Sequence, residues 1–256
     1  MIVTTSLRPT EPIIAKAEKI ALDLNLPFVR RNKEPIATLH NQYGCNIFVV
    51  SSNRLSISQI ETELPLFFHP NSAMFRVKRV LRGETDPFLQ ATKLTSNMSI
   101  LDCTLGLASD SIVSSVVVGK NGKVVGTEGN QFLAYLVRHG LKNWDSGLPE
   151  MDEAMQRINV IAIENLEYLR NEKTNAFDVV YFDPMFELKI ESEGINAIRK
   201  MALYSDLDEE TIEEAKRVAK HRVVLKDHWQ STRFHRFNFH VYKRTTSQFH
   251  YASIEL

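Results

Sequence analysis

Cysteine is scarce. The chain has two in 256 residues, Cys45 and Cys103, which excludes a disulfide framework and a cysteine-rich zinc site. Glycine and proline, at 10 and 9, are too few for a fibrous or low-complexity chain. No apolar run approaches the roughly 18 residues of a membrane-spanning helix. The opening MIVTTSLRPTEP lacks a basic segment followed by an apolar one, so no secretory signal is read there. The expected location is the reducing cytoplasm. Net charge is absent too: 31 Lys and Arg balance 31 Asp and Glu. A surface that is basic throughout is excluded, and any contact with nucleic acid has to be local. There is no H-E-x-x-H, no Walker G-x-x-x-x-G-K-[ST] and no G-x-S-x-G. The eight His show no metal-ligand spacing, and no metal is expected.

Hydrophobic residues at 43% and charged residues at 24% describe a globular protein, with room for one large domain or a domain and an appendage. The charge that is present segregates. Residues 216–244 hold nine Lys or Arg against Asp227 alone. A second basic group is Arg76, Lys78, Arg79 and Arg82, which is either a phosphate contact or a solvated helix face.

Residues 1–86 read as a small α+β region. Thr10 and Pro12 open a helix carried by Ile13, Ile14, Ala17, Ile20, Ala21 and Leu24 at helical spacing. Residues 36–39, 46–50 and 64–68 read as short strands. A helix follows from Asn71 or Ser72 through Ala73, Phe75, Val80 and Leu81. From residue 87 to 256 strands and helices alternate. Strands are expected over residues 99–103, 123–128, 158–163, 177–182 and 222–226. Helices are expected over 110–118, 132–139 and 211–219, and an antiparallel hairpin over 234–254. This alternation predicts an open, doubly wound α/β sheet, whose ligands sit beyond the carboxyl ends of the strands.

Those ends carry the candidate chemistry. Asp102-Cys103-Thr104-Leu105-Gly106-Leu107-Ala108-Ser109-Asp110 joins a buried strand to a helix through a glycine turn, where a ligand can approach the backbone. Glu128, with Gly129 beside it, ends the next strand. An acid about 20 residues beyond the first turn is where α/β nucleotide binders hold a ribose diol. Glu164 and Asn165 close the third strand and can read the edge of an adenine. Val179-Val180-Tyr181-Phe182-Asp183-Pro184-Met185-Phe186 is the strongest local signal. Asp183 can accept hydrogen bonds from an exocyclic amine, Pro184 fixes the turn, and Phe186 offers a stacking face. Lys226 ends the fifth strand, either facing a substrate phosphate or paired with an acid. Cys103 is expected to pack beneath the first loop.

Together these strand ends resemble the class I S-adenosylmethionine-dependent methyltransferases. More narrowly they resemble the bacterial family of the small-subunit ribosomal RNA guanine-N2 methyltransferase J and its Gram-positive relatives. The resemblance rests on Asp102-x-Thr104-x-Gly106-Leu107-x-x-Asp110, on Glu128, and on Tyr181-x-Asp183-Pro184-Met185-Phe186. It covers about residues 70–256. One departure is Ala108, where the guanine-methylating members carry glycine. The resemblance implies a Rossmann-like, mostly parallel seven-stranded sheet with a C-terminal antiparallel hairpin. It implies S-adenosylmethionine as cofactor, RNA as partner, and guanine N2 of ribosomal RNA as methyl acceptor. It places residues 102–110 around the methionine part of the cofactor, with Ser109 and Asp110 nearest. It places Glu128 and Gly129 at the ribose, Glu164 and Asn165 at the adenine, and Asp183 where cofactor and acceptor meet. Residues 1–86 become a candidate substrate-recognition region. Three alternatives share these features: a methyltransferase with a small-molecule or protein acceptor, a non-catalytic S-adenosylmethionine binder, and a nicotinamide dehydrogenase. The last leaves Asp-Pro-Met-Phe unexplained.

Overall fold

The computed structural model describes residues 1–62, 64–184 and 207–256. The chain forms two compact units that divide between His69 and Pro70. The sequence reading places this division near residue 86; the helix over Asn71–Leu81 belongs with the second unit. Among the described residues no helix is long and apolar enough to cross a membrane.

The first unit contains β1 (Ile2–Thr5), α1 (Glu11–Asp23), α2 (Ile36–Tyr43), β2 (Ile47–Val50), β3 (Leu55–Ser58) and β4 (Leu66–Phe67). Its sheet runs β1-β2-β3-β4, with β1 parallel to β2 and the other pairs antiparallel. Residues 36–39 are helical, against the strand expectation. Pro35 supplies a fixed φ of −59° at the N-cap, and Gly44, at φ 58°, ends the helix in the left-handed conformation. Leu39 then packs with Ile2 and Ile47, so burial of one helical face overrides the strand preference of Ile and Thr. The strand expected over residues 64–68 shrinks to β4.

The second unit contains α3 (Asn71–Leu81), α4 (Pro87–Thr92), β5 (Ser99–Asp102), α5 (Ser109–Val118), β6 (Lys123–Glu128), α6 (Gln131–Asn143), α7 (Pro149–Arg157), β7 (Asn159–Ala162), α8 (Asn165–Asn171), β8 (Phe177–Phe182), α9 (Glu209–Val218), β9 (Ala219–His228), α10 (Arg233–Arg236), β10 (His240–Tyr242) and β11 (Phe249–Glu255). The seven-stranded sheet has the order β10-β11-β9-β8-β5-β6-β7. β7, β6, β5, β8 and β9 are parallel, and β11 and β10 form the antiparallel pair at one edge. The chain starts in the middle, builds outward to β7, and returns to the other side of β5 with β8. That reversal between β5 and β8 opens a crevice at their carboxyl ends.

The sheet is covered on both faces, which is why its central strands read as continuous apolar runs. Leu101, Val180, Phe182, Val223 and Leu225 share one core with Leu169 of α8 and Ile212, Ala215 and Val218 of α9. The alternate positions face α4 and α5: Phe88 packs edge-on against Tyr181 and Tyr251, with centroids 4.9 and 6.1 Å apart. Side chains alternate along a strand, and the register pairs Asp102 with Tyr181, Tyr181 with Val224, and Lys226 with Tyr251. One face of the carboxyl end therefore collects Asp102, Tyr181, Lys226 and Tyr251.

Candidate active site

Asp102 ends β5 with 2% exposure. Its carboxylate accepts from the Thr104 amide at 3.1 Å and the Ser111 hydroxyl at 2.7 Å. Burial pushes its carboxyl up to about 7, against the pull of Ser111. The chain then turns through Gly106 at φ 49° and Ala108 at φ 63° into α5. Ala108 is the residue where the sequence departs from glycine, and its left-handed backbone accounts for glycine being suited there. The Ser109 and Ser72 hydroxyls lie 2.7 Å apart, joining the first turns of α5 and α3.

β6 delivers Glu128 beside this loop. Its carboxylate accepts backbone bonds from Asn130, at 3.0 Å, and from Gly106. Burial first, with Glu164 nearby adding to it, raises its carboxyl to about 7. Gly129 lets Glu164 lie close: a Cβ there would stand 2.5 Å from a Glu164 carboxylate oxygen, which would have to swing aside. Asn165 opens α8 and donates to the Cys103 carbonyl at 3.4 Å. Cys103 is buried and its thiol pushed well up by that burial, which suits packing and not nucleophilic attack.

Asp183 follows β8. Its amide donates to the Thr104 hydroxyl at 2.6 Å, tying together the loops after β5 and β8. One carboxylate oxygen lies 2.5 Å from Lys226 Nζ. Burial raises the Asp183 carboxyl to about 6, opposed by Lys226 and assisted by Asp110. Its side chain keeps 24% exposure, so it is reachable from solvent. Pro184 is buried; Met185 and Phe186 lie outside the described residues.

Asp110, expected beside a cofactor, is enclosed by protein groups. Arg76 reaches one oxygen at 2.5 Å; the Tyr181 hydroxyl donates to the other at 2.9 Å, with Lys226 Nζ at 3.7 Å. Burial opposes its charge, yet Lys226 and Arg76 hold its carboxyl below the ordinary range. Arg76 also forks onto Asp86 at 2.8 and 3.0 Å, and Asp86 caps α4. Asp86, Arg76, Asp110, Lys226 and Asp183 thus form one chain of alternating charge beneath the crevice. The sequence reading offers Arg76 to a phosphate and leaves Lys226 undecided; both turn to carboxylates. The signal for Arg76 was present: with Ala73, Val77 and Val80 it occupies the i, i+3, i+4, i+7 face that α3 turns inward.

The strand order, the antiparallel edge and the acids at the ends of β5, β6 and β8 define a Rossmann-like methyltransferase. The chain belongs to the S-adenosylmethionine-dependent methyltransferases: residues 35–246 match the family described as "Putative SAM-dependent methyltransferase". It is 45% identical over 254 residues to "Uncharacterized protein YpiP" of Bacillus subtilis, covering 99% of this chain and 98% of that one. It is 25% identical over 236 residues to ribosomal RNA small subunit methyltransferase J of Desulfotalea psychrophila, covering 88% of this chain and 86% of that one. Its fold is similar to the S-adenosylmethionine-dependent methyltransferase NGO1261 of Neisseria gonorrhoeae, with TM-score 0.62, 17% identity and coverage of 100% and 96%.

The cofactor is S-adenosylmethionine, and the residues present fit it. Asp102, Asp110, Asp183, Glu128 and Glu164 outnumber Lys226 and Arg76 at the crevice, a field suited to a ligand of net positive charge. Glu128 accepts two backbone bonds and retains lone pairs for hydroxyl donors.

Proposed function

We propose that the protein methylates the exocyclic amino group of a base in RNA, with guanine N2 of small-subunit ribosomal RNA the favoured acceptor and the cytoplasm its place of action. The observation that carries this reading is Asp183. Lys226 occupies one of its carboxylate oxygens, leaving the other for an incoming amine, and the Thr104 bond fixes its backbone at the switch point. The ribosomal RNA methyltransferase J relatives support the RNA acceptor.

When bound, S-adenosylmethionine supplies a methyl group already activated on a sulfonium. The chain then has to align and polarise the acceptor. Glu128 holds the ribose hydroxyls, with Gly129 beside it. Glu164 and Asn165 flank the adenine, and residues 102–110 enclose the methionine end. Ser109 stands at the helix entrance, and Asp102 with Thr104 shape the loop. Asp110 acts from below, holding Lys226. An exocyclic amine shares its lone pair with the ring and is a poor nucleophile. A hydrogen bond from its N–H to Asp183 draws that lone pair back to nitrogen. As the new N–C bond forms, the methyl–sulfur bond would break with its electron pair left on sulfur as a neutral thioether, and Asp183 takes the proton that the amine releases and, being reachable from solvent, passes it to water. Pro184 rigidifies the turn.

Asp183→Ala tests this. We expect methylation of ribosomal RNA to fall about 100-fold or more, with cofactor affinity by calorimetry changed less than threefold. Wild-type turnover in the variant would remove Asp183 from the mechanism. Mass spectrometry of nucleosides from the methylated RNA identifies the base. A small-molecule or protein acceptor is the second reading, favoured by the zero net charge.

A further inference from the structure

The outer face of α3 is unlike the inner one. Ala73 and Val77 are buried and Arg76 is spent on Asp86 and Asp110. Outward stands Phe75, 72% exposed, the most open aromatic among the described residues. Lys78, Arg79 and Arg82 follow it at i+3, i+4 and i+7, on the same stripe. The helix contains no acid. Glu84, just beyond it, pairs with Arg79 at 2.9 Å and lies 4.0 Å from Arg82, so the stripe retains two positive charges. Its first turn is fastened to the site by the Ser72–Ser109 contact.

We propose that this stripe is the seat for a single-stranded segment of the RNA acceptor, a base stacking on Phe75 while Lys78 and Arg82 meet the flanking phosphates. The proposal rests on the reading of RNA as acceptor. A single exposed apolar side chain is ordinary; what sets Phe75 apart is the row of cations on its own stripe. The cations beside it select a polyanion over an apolar partner, and a base on an aromatic ring with backbone phosphates on cations is how single strands are held without sequence readout. The run of about 10 Å from Phe75 to Arg82, at 1.5 Å rise per residue, spans adjoining nucleotides. The attachment to α5 places that segment next to the crevice, where the target base has to enter.

The test uses the full chain, a fluorescein-labelled single-stranded RNA and small-subunit ribosomal RNA transcribed in vitro. Phe75→Ala should weaken RNA binding about tenfold and raise the RNA KM similarly, with S-adenosylmethionine affinity by calorimetry unchanged. Lys78→Ala should weaken it less and lower the slope of log affinity against log salt by about 0.7. Leu256→Ala removes another open apolar side chain, 54% exposed just after β11, and should alter neither. RNA binding by wild type that Phe75→Ala and Lys78→Ala leave intact would overturn the stripe and spare the RNA reading. Cofactor binding by a wild type that neither binds nor methylates RNA would overturn both.

Discussion

Burial raises the Glu128 carboxyl to about 7, so near neutral pH its charge depends on what lies against it. Hydroxyl donors favour the carboxylate, and a ligand that supplies them lowers that pKa on binding. The sign follows. Below pH 7 the free protein must first lose a proton, and affinity drops; above it, affinity levels off. We expect S-adenosylmethionine to bind more weakly at pH 6 than at pH 8, by up to about tenfold for the one unit below the pKa. Glu128→Gln should lower affinity at pH 8 about tenfold, the worth of a hydrogen bond to a charged group, and flatten the profile. Calorimetry at pH 6, 7 and 8 decides the matter. An unchanged slope in the variant would transfer the titration to another acid, Asp102 first. Ala108 makes a different point at this scale. A buried alanine at φ 63° holds the left-handed conformation that favours glycine, at a cost in backbone strain.

Among the elements, α3, α4 and α5 are joined by a single guanidinium. Arg76 is 21% exposed, and its partners Asp86 and Asp110 are 6% and 9% exposed in their side chains. Removing the cation takes the counter-charge from Asp86, leaving it only backbone donors, and leaves Asp110 to Tyr181 and Lys226. Arg76→Ala should cost about 3–5 kcal/mol and lower Tm by roughly 6–20 °C, read by thermal unfolding; a loss under about 1 kcal/mol would mean that water replaces the guanidinium. This pairing also marks the limit of what the sequence makes legible. The strand ends were readable because parallel strands buried on both faces are continuous apolar runs that stop at a polar residue, as at Asp102, Glu128 and Asp183. The Arg76–Asp110 bond joins residues 34 apart, and the Lys226–Asp183 bond residues 43 apart. Nothing local states which acid a cation will meet. Short elements were hidden for another reason. α4 has six residues, too few to show a period, and in α2 the helical stops at Pro35 and Gly44 outweigh a β-like Ile-Ala-Thr-Leu. Phe75, counted among the periodic apolar positions of α3, faces outward.

Across the whole molecule, zero net charge conceals two opposed sets of acids. Asp110 and Asp178 are held below their ordinary range, Asp110 by Lys226 and Arg76 against burial, Asp178 chiefly by Ser99 against burial. Such groups stabilise the fold above the unfolded pKa near 4, and that contribution is lost as pH falls. Asp102, Glu128 and Asp183 are raised to about 7, 7 and 6 by burial. Between pH 4 and 7 the folded chain holds protons on these three that the unfolded chain has released, so stability declines as pH rises and then levels off. The two sets together place the stability maximum of the cofactor-free protein near pH 5, on the acid side of its pI of about 7.1. The cofactor reverses the trend. It stabilises in proportion to the logarithm of its concentration over Kd, and with Glu128 at the ribose, as proposed, its Kd improves as Glu128 ionises. Thermal unfolding at pH 5, 6.5 and 8 should show Tm falling with pH in the free protein, and a cofactor-induced gain that is largest at pH 8. A free-protein Tm that is flat from pH 5 to 8 would mean that these carboxyls are hydrated and ionised throughout. The crevice would then lack the strain that binding is expected to relieve.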